Sequence, residues 1–589
     1  MKKLMLLFLF SGLLFADSME NADFLLSEQL NYCKDPTVKT TVKILRRVGS
    51  LILMDHDSEG TAPAPTLAEK ESGFQLFTRN CLNPINYNSV PKKSESRDTA
   101  EMFASLGQFE SIQIGMIPLT DLKGVKAAVS DFSGPAGSIP ASAFDVRWVR
   151  YLAGGGNVHQ TYLMSPEIME SFTSVDLKSG ITYQFWVTVK VPETAKGGTY
   201  NGSVMFAVAN SKPAEIKVKL EVIPVTLEKG VGYFGFWYGN EDPAVMRREI
   251  NDLKDYGLTT GTGIHMPTVY KNGAITVDPD GVYVKFAKAV LESGWKIMEV
   301  NISSFGGIPE VQKLGLFSPE FNRLAKDWVE KVKKVYDDNK LGTCMINVYD
   351  EPREKSMCRP GINISYEDTI QYLKIIKSVP GVKAVVTCAG ANKLLDPEMI
   401  PLLDRDQPHL TKGFKDHIAL AKSLGKELIT YNNGYSSLAW GFCPWKAGAS
   451  GNLQWVLPAY SKDRNIYSPI KKNSEYPGEP NTSAAYATEK GMTPGVKLVY
   501  IREGIDDYRY ITSLEKKITE LSGNAAAAND VSAAKRVVEE VRNRVPDYPA
   551  SGIQTGYEAG ETAVVKNPAE LLKSLRYKIA KQLENLSKY

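Results

Sequence analysis

From residue 231 onward the chain repeats one unit: a short apolar run, a turn, an amphipathic helix, then the next apolar run. Tyr233-Phe234-Gly235-Phe236-Trp237 opens the series. Met246, Ile250 and Leu253 then give the segment from Pro243 to about Tyr256 one apolar face at helical spacing. Gly257 ends that helix, and an extended stretch leads to His265. A helix carrying Phe286 and Val290 stops at Gly294 and is followed by the run from Trp295 to Asn301. One carrying Phe321, Leu324, Trp328, Val332 and Val335 precedes Cys344 to Tyr349. Another, with Ile370, Leu373 and Ile376, precedes Val382 to Cys388, and one from Ile418 to Leu424 precedes Glu427 to Tyr431. Parallel strands need a long crossover, and a helix supplies it, so this rhythm predicts a parallel sheet. The stretch has room for about eight units, which selects a (β/α)8 TIM-type barrel over residues 228–511. A doubly wound open sheet is the second choice, but no GxGxxG or P-loop run supports a nucleotide site.

The half before it has a different texture. Leu51-Ile52-Leu53-Met54, Ser111 to Ile114, Val125 to Val129, Ile181 to Val189 and Gly202 to Val208 read as strands. Ile216-Lys217-Val218-Lys219-Leu220-Glu221-Val222 alternates apolar and polar, as a half-buried strand does. Turn residues punctuate the strands at Ser133-Gly134-Pro135, Lys196-Gly197-Gly198 and Asn201-Gly202. Short strands at this spacing predict a β-sandwich over residues 17–227. The tail, residues 512–589, reads as helical. Asn567-Pro568 suits a helix start, and Leu571, Leu575, Ile579 and Leu583 make one stripe.

The 589 residues exceed what one core usually holds, in keeping with several domains. With 70 Lys and Arg against 67 Asp and Glu, the chain lacks the basic excess of a nucleic-acid binder. Lys2-Lys3, the apolar run Leu4 to Leu14 and the small residue Ala16 read as a signal peptide over residues 1–16. That run is shorter than the about 20 residues of a membrane span. No later segment is apolar enough to cross, so the expected address is periplasmic or secreted. Six cysteines are scattered without a CxxC pair or a histidine at metal-ligand spacing, so no metal site is expected. Cys344 and Cys388 lie in apolar runs and read as core.

In a barrel of this kind the reactive face lies at the C-terminal ends of the strands. That rule gathers Trp237, His265, Asn301, Asp350-Glu351-Pro352, Tyr431-Asn432-Asn433, Trp440, Trp445 and Trp455 into one candidate site. Carboxylates and amides suit hydroxyl groups, and aromatic rings suit the apolar face of a sugar. Each has a plainer reading. Asp350-Glu351-Pro352 suits a helix start, a lone His265 suits a structural role, and any one Trp suits packing. Asp506-Asp507 reads as a helix cap at the head of the tail.

The chain also resembles glycoside hydrolase family 123, the β-N-acetylgalactosaminidases, and related proteins sharing that catalytic domain. The likeness runs over nearly the whole mature chain. It is carried by Phe185 to Pro192, Gly198 to Gly202, Asp350-Glu351-Pro352, Trp440 to Gly448, Gly451 to Trp455 and, most specifically, Arg502 to Tyr510. It departs at Ala447 and Gln454, where the family pattern has tyrosine, and at Arg509, where it has an acid. The resemblance implies a retaining, exo-acting hydrolase that needs no cofactor and uses the substrate's own acetamide as nucleophile. Asp350 then stabilises the oxazolinium, and Glu351 serves as acid and base. Two other readings stay open: a glycosidase for a sugar without an acetamide, and a non-catalytic carbohydrate-binding protein.

Overall fold

The computed structural model describes residues 20–33, 52–54, 59–155, 161–237, 242–262, 265–352, 364–388, 399–411, 415–454, 467, 483–488, 491–549 and 568–589. The leader and Trp455 lie outside them.

The N-terminal half forms two largely antiparallel sheets. One has six strands in the order Ile52–Met54, Thr161–Ser171, Phe144–Gly155, Tyr183–Lys190, Phe109–Pro118 and Phe74–Arg79. The other is built on Val175–Leu177, Leu122–Val129, Gly198–Ala207, Ala214–Thr226 and Thr99–Leu106. Along Ala214–Thr226 the alternation seen in the sequence becomes alternating burial. Both sheets feed one apolar cluster, Ile114, Tyr162 and Phe185 from the first and Val204, Phe206 and Leu220 from the second. Phe185 and Phe206 meet with ring centroids 4.9 Å apart. Strands Phe74–Arg79, Thr99–Leu106, Phe144–Gly155 and Thr161–Ser171 have no counterpart in the sequence reading.

Ten parallel strand segments follow among the described residues, and they group into eight strands. They are β1 (Tyr233–Trp237), β2 (Thr260–Thr262), β3 (Lys296–Ile297 and Val300–Asn301) and β4 (Met345–Asp350). Then come β5 (Lys383–Cys388), β6 (Arg405–Pro408), β7 (Glu427–Leu428 and Thr430–Tyr431) and β8 (Gly451–Gln454). They form two five-stranded parallel sheets: Lys296–Ile297, β2, β1, β8 and Thr430–Tyr431 in one, and Val300–Asn301, β4, β5, β6 and Glu427–Leu428 in the other. Phe234 and Phe236 of β1 and Ile346 and Val348 of β4 pack into the cluster that holds the surrounding helices. The Pro319–Asp338 helix supplies Phe321, Leu324, Trp328, Val332 and Val335 to the same cluster, as its periodicity predicts. Strand β6 escaped the sequence reading. It consists of Arg405, Asp406, Gln407 and Pro408, all buried. A strand without an apolar residue carries no hydrophobic period, so only its neighbours identify it.

The tail differs from expectation in one respect. Arg502 to Tyr510 lies inside a helix running from Val496 to Glu520, straight through residues 511 and 512. Asp506 and Asp507 therefore do not cap a helix; they are buried midway along one. The Pro568–Leu586 helix packs on it and buries Leu572, Leu575, Ile579 and Leu583, with Leu571 half-buried at the edge of the stripe. Between these helices and the Phe109–Pro118 strand sits a buried charge cluster. Arg576 donates through Nε to Asp507 Oδ1 at 2.6 Å and through Nη2 to the Glu503 carbonyl at 2.7 Å. It also pairs with the Glu503 carboxylate and lies 3.7 Å from Glu110 Oε2. Cys81, Cys344 and Cys443 are buried free thiols, and Cys33 is buried. Among the described residues no helix is long and apolar enough to cross a membrane.

Candidate active site

Asn301, Asp350, Tyr431 and Gln454 each end a parallel strand, with Glu351 and Asn432 one residue beyond. The end of β4 is irregular. Asn347 faces Val385 and Asp350 faces Thr387, so three steps on β4 match two on β5, which is a β-bulge. Glu351 follows with φ 47°, in the left-handed region, and its N–H donates to the Thr387 carbonyl at 3.2 Å. A non-glycine residue held there costs roughly 1–3 kcal/mol and persists only where the surroundings fix it. Asn432, at the end of β7, has φ 52°. Two strand ends thus turn by the same device, each re-aiming a polar side chain.

Beneath Glu351 runs a buried polar chain. Asn347 Nδ2 donates to Thr387 Oγ1 at 2.6 Å, and Thr387 Oγ1 donates to Gln407 Oε1 at 3.2 Å. Gln407 Nε2 donates to Glu299 Oε1 at 2.8 Å. Gln407 is on β6 and Glu299 lies between the two segments of β3; these strands do not pair, so the last bond joins strands that are not neighbours. Glu299 Oε2 and Asn347 Oδ1 are buried with no hydrogen-bond partner among the described residues. Leaving such acceptors unmet costs about 1–3 kcal/mol each, so this floor suits hydroxyl or water donors.

His409 stands beside Glu351. It is buried, and its Nε2 lies 3.8 Å from Glu351 Oε1. Burial holds the imidazole down at about 4, so near neutral pH the contact joins a carboxyl group to an uncharged ring and is no ion pair. The ring packs on Tyr431, centroids 5.7 Å apart. Asn433 fixes the loop: its Oδ1 accepts from Leu410 N at 2.7 Å, and its Nδ2 donates to Asn452 Oδ1 at 2.9 Å. Gln454 links the next pair, donating to Asn432 Oδ1 at 3.1 Å and accepting from Gly434 N at 2.9 Å.

The other predicted residues divide. Asn301 ends β3 beside Asn347, and its Oδ1 accepts from Ser303 N at 2.8 Å, at the start of the short Ser303–Gly306 helix. His265 is exposed in the loop after β2. Trp237 and Asp350 end β1 and β4, and their side chains are outside the described set, as is Trp455. Two tryptophans are corrected. Trp440 is fully buried, its centroid 5.1 Å from that of Phe236, and its Nε1 donates to the Gly434 carbonyl at 2.9 Å. Trp445 is buried toward the tail, with Nε1 donating to Glu515 Oε2 at 2.9 Å and Arg542 lying 4.6 Å over its ring. Neither offers a free face to a sugar. Both satisfy their indole N–H groups within the protein, as packed tryptophans do.

Sequence reasoning missed His409 and the chain Asn347–Thr387–Gln407–Glu299. The signal for His409 lay in its place one residue past β6, the strand that was not recognised. Among the described residues no group of three or more His, Cys, Asp or Glu is arranged to hold a metal ion.

No family model matches the chain, and no curated protein matches it. Among solved structures it is similar to a family 123 glycoside hydrolase from Clostridium perfringens, studied for glycolipid glycan hydrolysis. That match has a TM-score of 0.64 at 12% identity and covers 87% of this chain and 99% of the other. A family 39 glycoside hydrolase from Bacteroides cellulosilyticus matches with a TM-score of 0.32 at 12% identity, over 66% of this chain and 81% of that one. A Bacteroides ovatus xyloglucanase matches with a TM-score of 0.26 at 8% identity, over 69% and 98%. These two scores are too low to carry an argument. The first shows that the chain shares the fold of a family 123 glycoside hydrolase across most of its length.

Proposed function

We propose that the chain is an exported, exo-acting, retaining glycoside hydrolase that releases β-linked N-acetylgalactosamine. In this reading the two antiparallel sheets are one β-sandwich and the eight parallel strands one (β/α)8 barrel. The observation that carries the proposal is the adjacent pair Asp350-Glu351 at the C-terminal end of β4, where a bulge and a left-handed Glu351 set the direction of the acid.

Adjacent carboxylates are poorly placed to work from opposite sides of a glycosidic bond, as an independent nucleophile and acid about 5–5.5 Å apart must. They suit a mechanism in which the substrate supplies the nucleophile. The acetamide oxygen bonds to C1 as the glycosidic C1–O bond breaks. The Glu351 proton goes to the leaving oxygen, and Asp350 accepts the acetamide N–H and balances the positive ring. Glu351, now ionised, takes a proton from water. The water oxygen bonds to C1, and the oxazoline C1–O bond breaks. Two inversions leave the β-anomer. Glu299 and Asn347 below would accept hydrogen bonds from sugar hydroxyls.

The test is inhibition by the thiazoline analogue of N-acetylgalactosamine, which mimics the cyclic intermediate. It should bind at least about 10²-fold more tightly than the glycoside substrate, since a site built for the intermediate prefers its mimic. Hydrolysis unaffected by the thiazoline would point to a glycosidase with a protein nucleophile. No hydrolysis of any aryl glycoside would point to a binding protein.

A further inference from the structure

We propose that His409 is a positioning residue for Glu351: its ring holds the acid's carboxyl group in place and stays uncharged through turnover, so that Glu351 can keep the proton it must deliver. This rests on the reading of Glu351 as acid and base.

Three observations carry it. The Nε2–Oε1 separation of 3.8 Å puts the ring against the carboxyl group. The ring has little room to move, since it is buried against Tyr431 and its loop is tied to β8 through Asn433 and Asn452. The left-handed backbone at Glu351 leaves the acid itself under strain, so a neighbour that fixes its side chain has work to do.

Charge decides what kind of neighbour this is. A protonated imidazole at this distance would favour the carboxylate and strip the acid of its proton. Burial prevents that, keeping the His409 value at about 4. Other titratable groups on the surrounding elements include Asp350 on β4, Glu299 between the segments of β3, Lys383 on β5, Tyr431 on β7, and Asp406 and Arg405 on β6; Arg405 pairs with Glu427 of β7. Asp406 is engaged by His417 at 2.5 Å. His409 thus differs from a histidine that titrates as a proton carrier. It would act as a neutral brace, a role its low basicity permits and a charged side chain could not fill.

The test compares wild type with His409→Gln and His409→Phe on 4-nitrophenyl β-N-acetylgalactosaminide, across pH. His409→Phe keeps the ring volume and removes the polar contact. It should lower kcat by about 10²-fold, the size expected when a reacting group is misplaced by about 1 Å. KM should stay within about threefold, and the alkaline limb of the kcat profile should move. His409→Gln restores a neutral polar group and should recover most of kcat with the wild-type pH profile. Variants that both match wild type, or both lose activity with an unmoved profile, would overturn the proposal. Should either variant fail to fold, the wild-type protein still decides. The His409 ring resonances should not titrate between pH 5 and 8, and a midpoint above pH 6 would overturn the neutral brace. A folded wild type with no acetamido-glycosidase activity would strike the functional reading instead, and the titration would still test the state of His409.

Discussion

Glu351→Gln should divide substrates by their leaving groups. With an alkyl or sugar leaving group, kcat/KM should fall by about 10²–10⁴-fold, the usual contribution of general acid catalysis. With 4-nitrophenolate, which departs without a proton, kcat/KM should change little. kcat should still fall there, because the second step needs Glu351 as base. Asp350→Asn should behave differently. It should slow formation of the cyclic intermediate for every leaving group, by about 10²–10³-fold, as loss of a group aimed at developing charge does. The measurement is a series of aryl glycosides of graded leaving-group pKa for each variant. Equal losses across the series for Glu351→Gln would show that Glu351 is not the acid.

A second large effect is expected far from the site. Arg576→Met should destabilise the protein by about 3–5 kcal/mol, since it leaves buried carboxylates without their cation. Arg576 ties the last helix to Glu503 and Asp507 on the Val496–Glu520 helix, close to Glu110 on a strand of the N-terminal sheets. The effect should depend on pH. Burial, with the neighbouring Glu503 carboxylate adding to it, pushes Glu110 up to about 8. Burial also pushes Asp507 up to about 7, against the pull of Arg576. Both values are raised on folding, so the folded protein binds more protons than the unfolded chain. The stability these groups contribute is present below their ordinary values and is lost as pH rises through about 7 and 8. Removing the guanidinium raises both further, so the deficit of Arg576→Met should be larger at pH 9 than at pH 6. Urea midpoints at the two pH values measure it. Equal midpoints for variant and wild type would mean that the cluster contributes nothing to stability.

The fold was readable where burial follows a hydrophobic period. Helices such as Pro319–Asp338 and strands such as Met345–Asp350 face an apolar layer, and their sequences show it. Strand β6 was not readable, because its residues make polar contacts with distant parts of the chain. Arg405 lies 4.5 Å over the Tyr233 ring, Gln407 reaches Glu299, and Asp406 engages His417. Long-range partners of this kind leave no local pattern, and His409 went unnoticed with them. The aromatic residues misled in the opposite direction. Trp440 and Trp445 follow strand ends in the sequence, as sugar-stacking rings would. Their helices instead turn them onto Phe236 and toward Glu515. The carboxylate pair stood out because two acids and a proline directly follow a strand. The bulge and positive φ that aim Glu351 are features of the backbone that the sequence does not display.

The most direct measurement compares turnover of 4-nitrophenyl β-N-acetylgalactosaminide with that of the plain 4-nitrophenyl β-galactoside. The leaving group is the same in both, and the sugars differ at C2, where one carries an acetamido group and the other a hydroxyl. If the acetamide is the nucleophile, the first should be hydrolysed at a rate set by the enzyme, and the second should show no turnover above the uncatalysed rate. Equal turnover of the two would take the acetamide out of the mechanism and contradict the account.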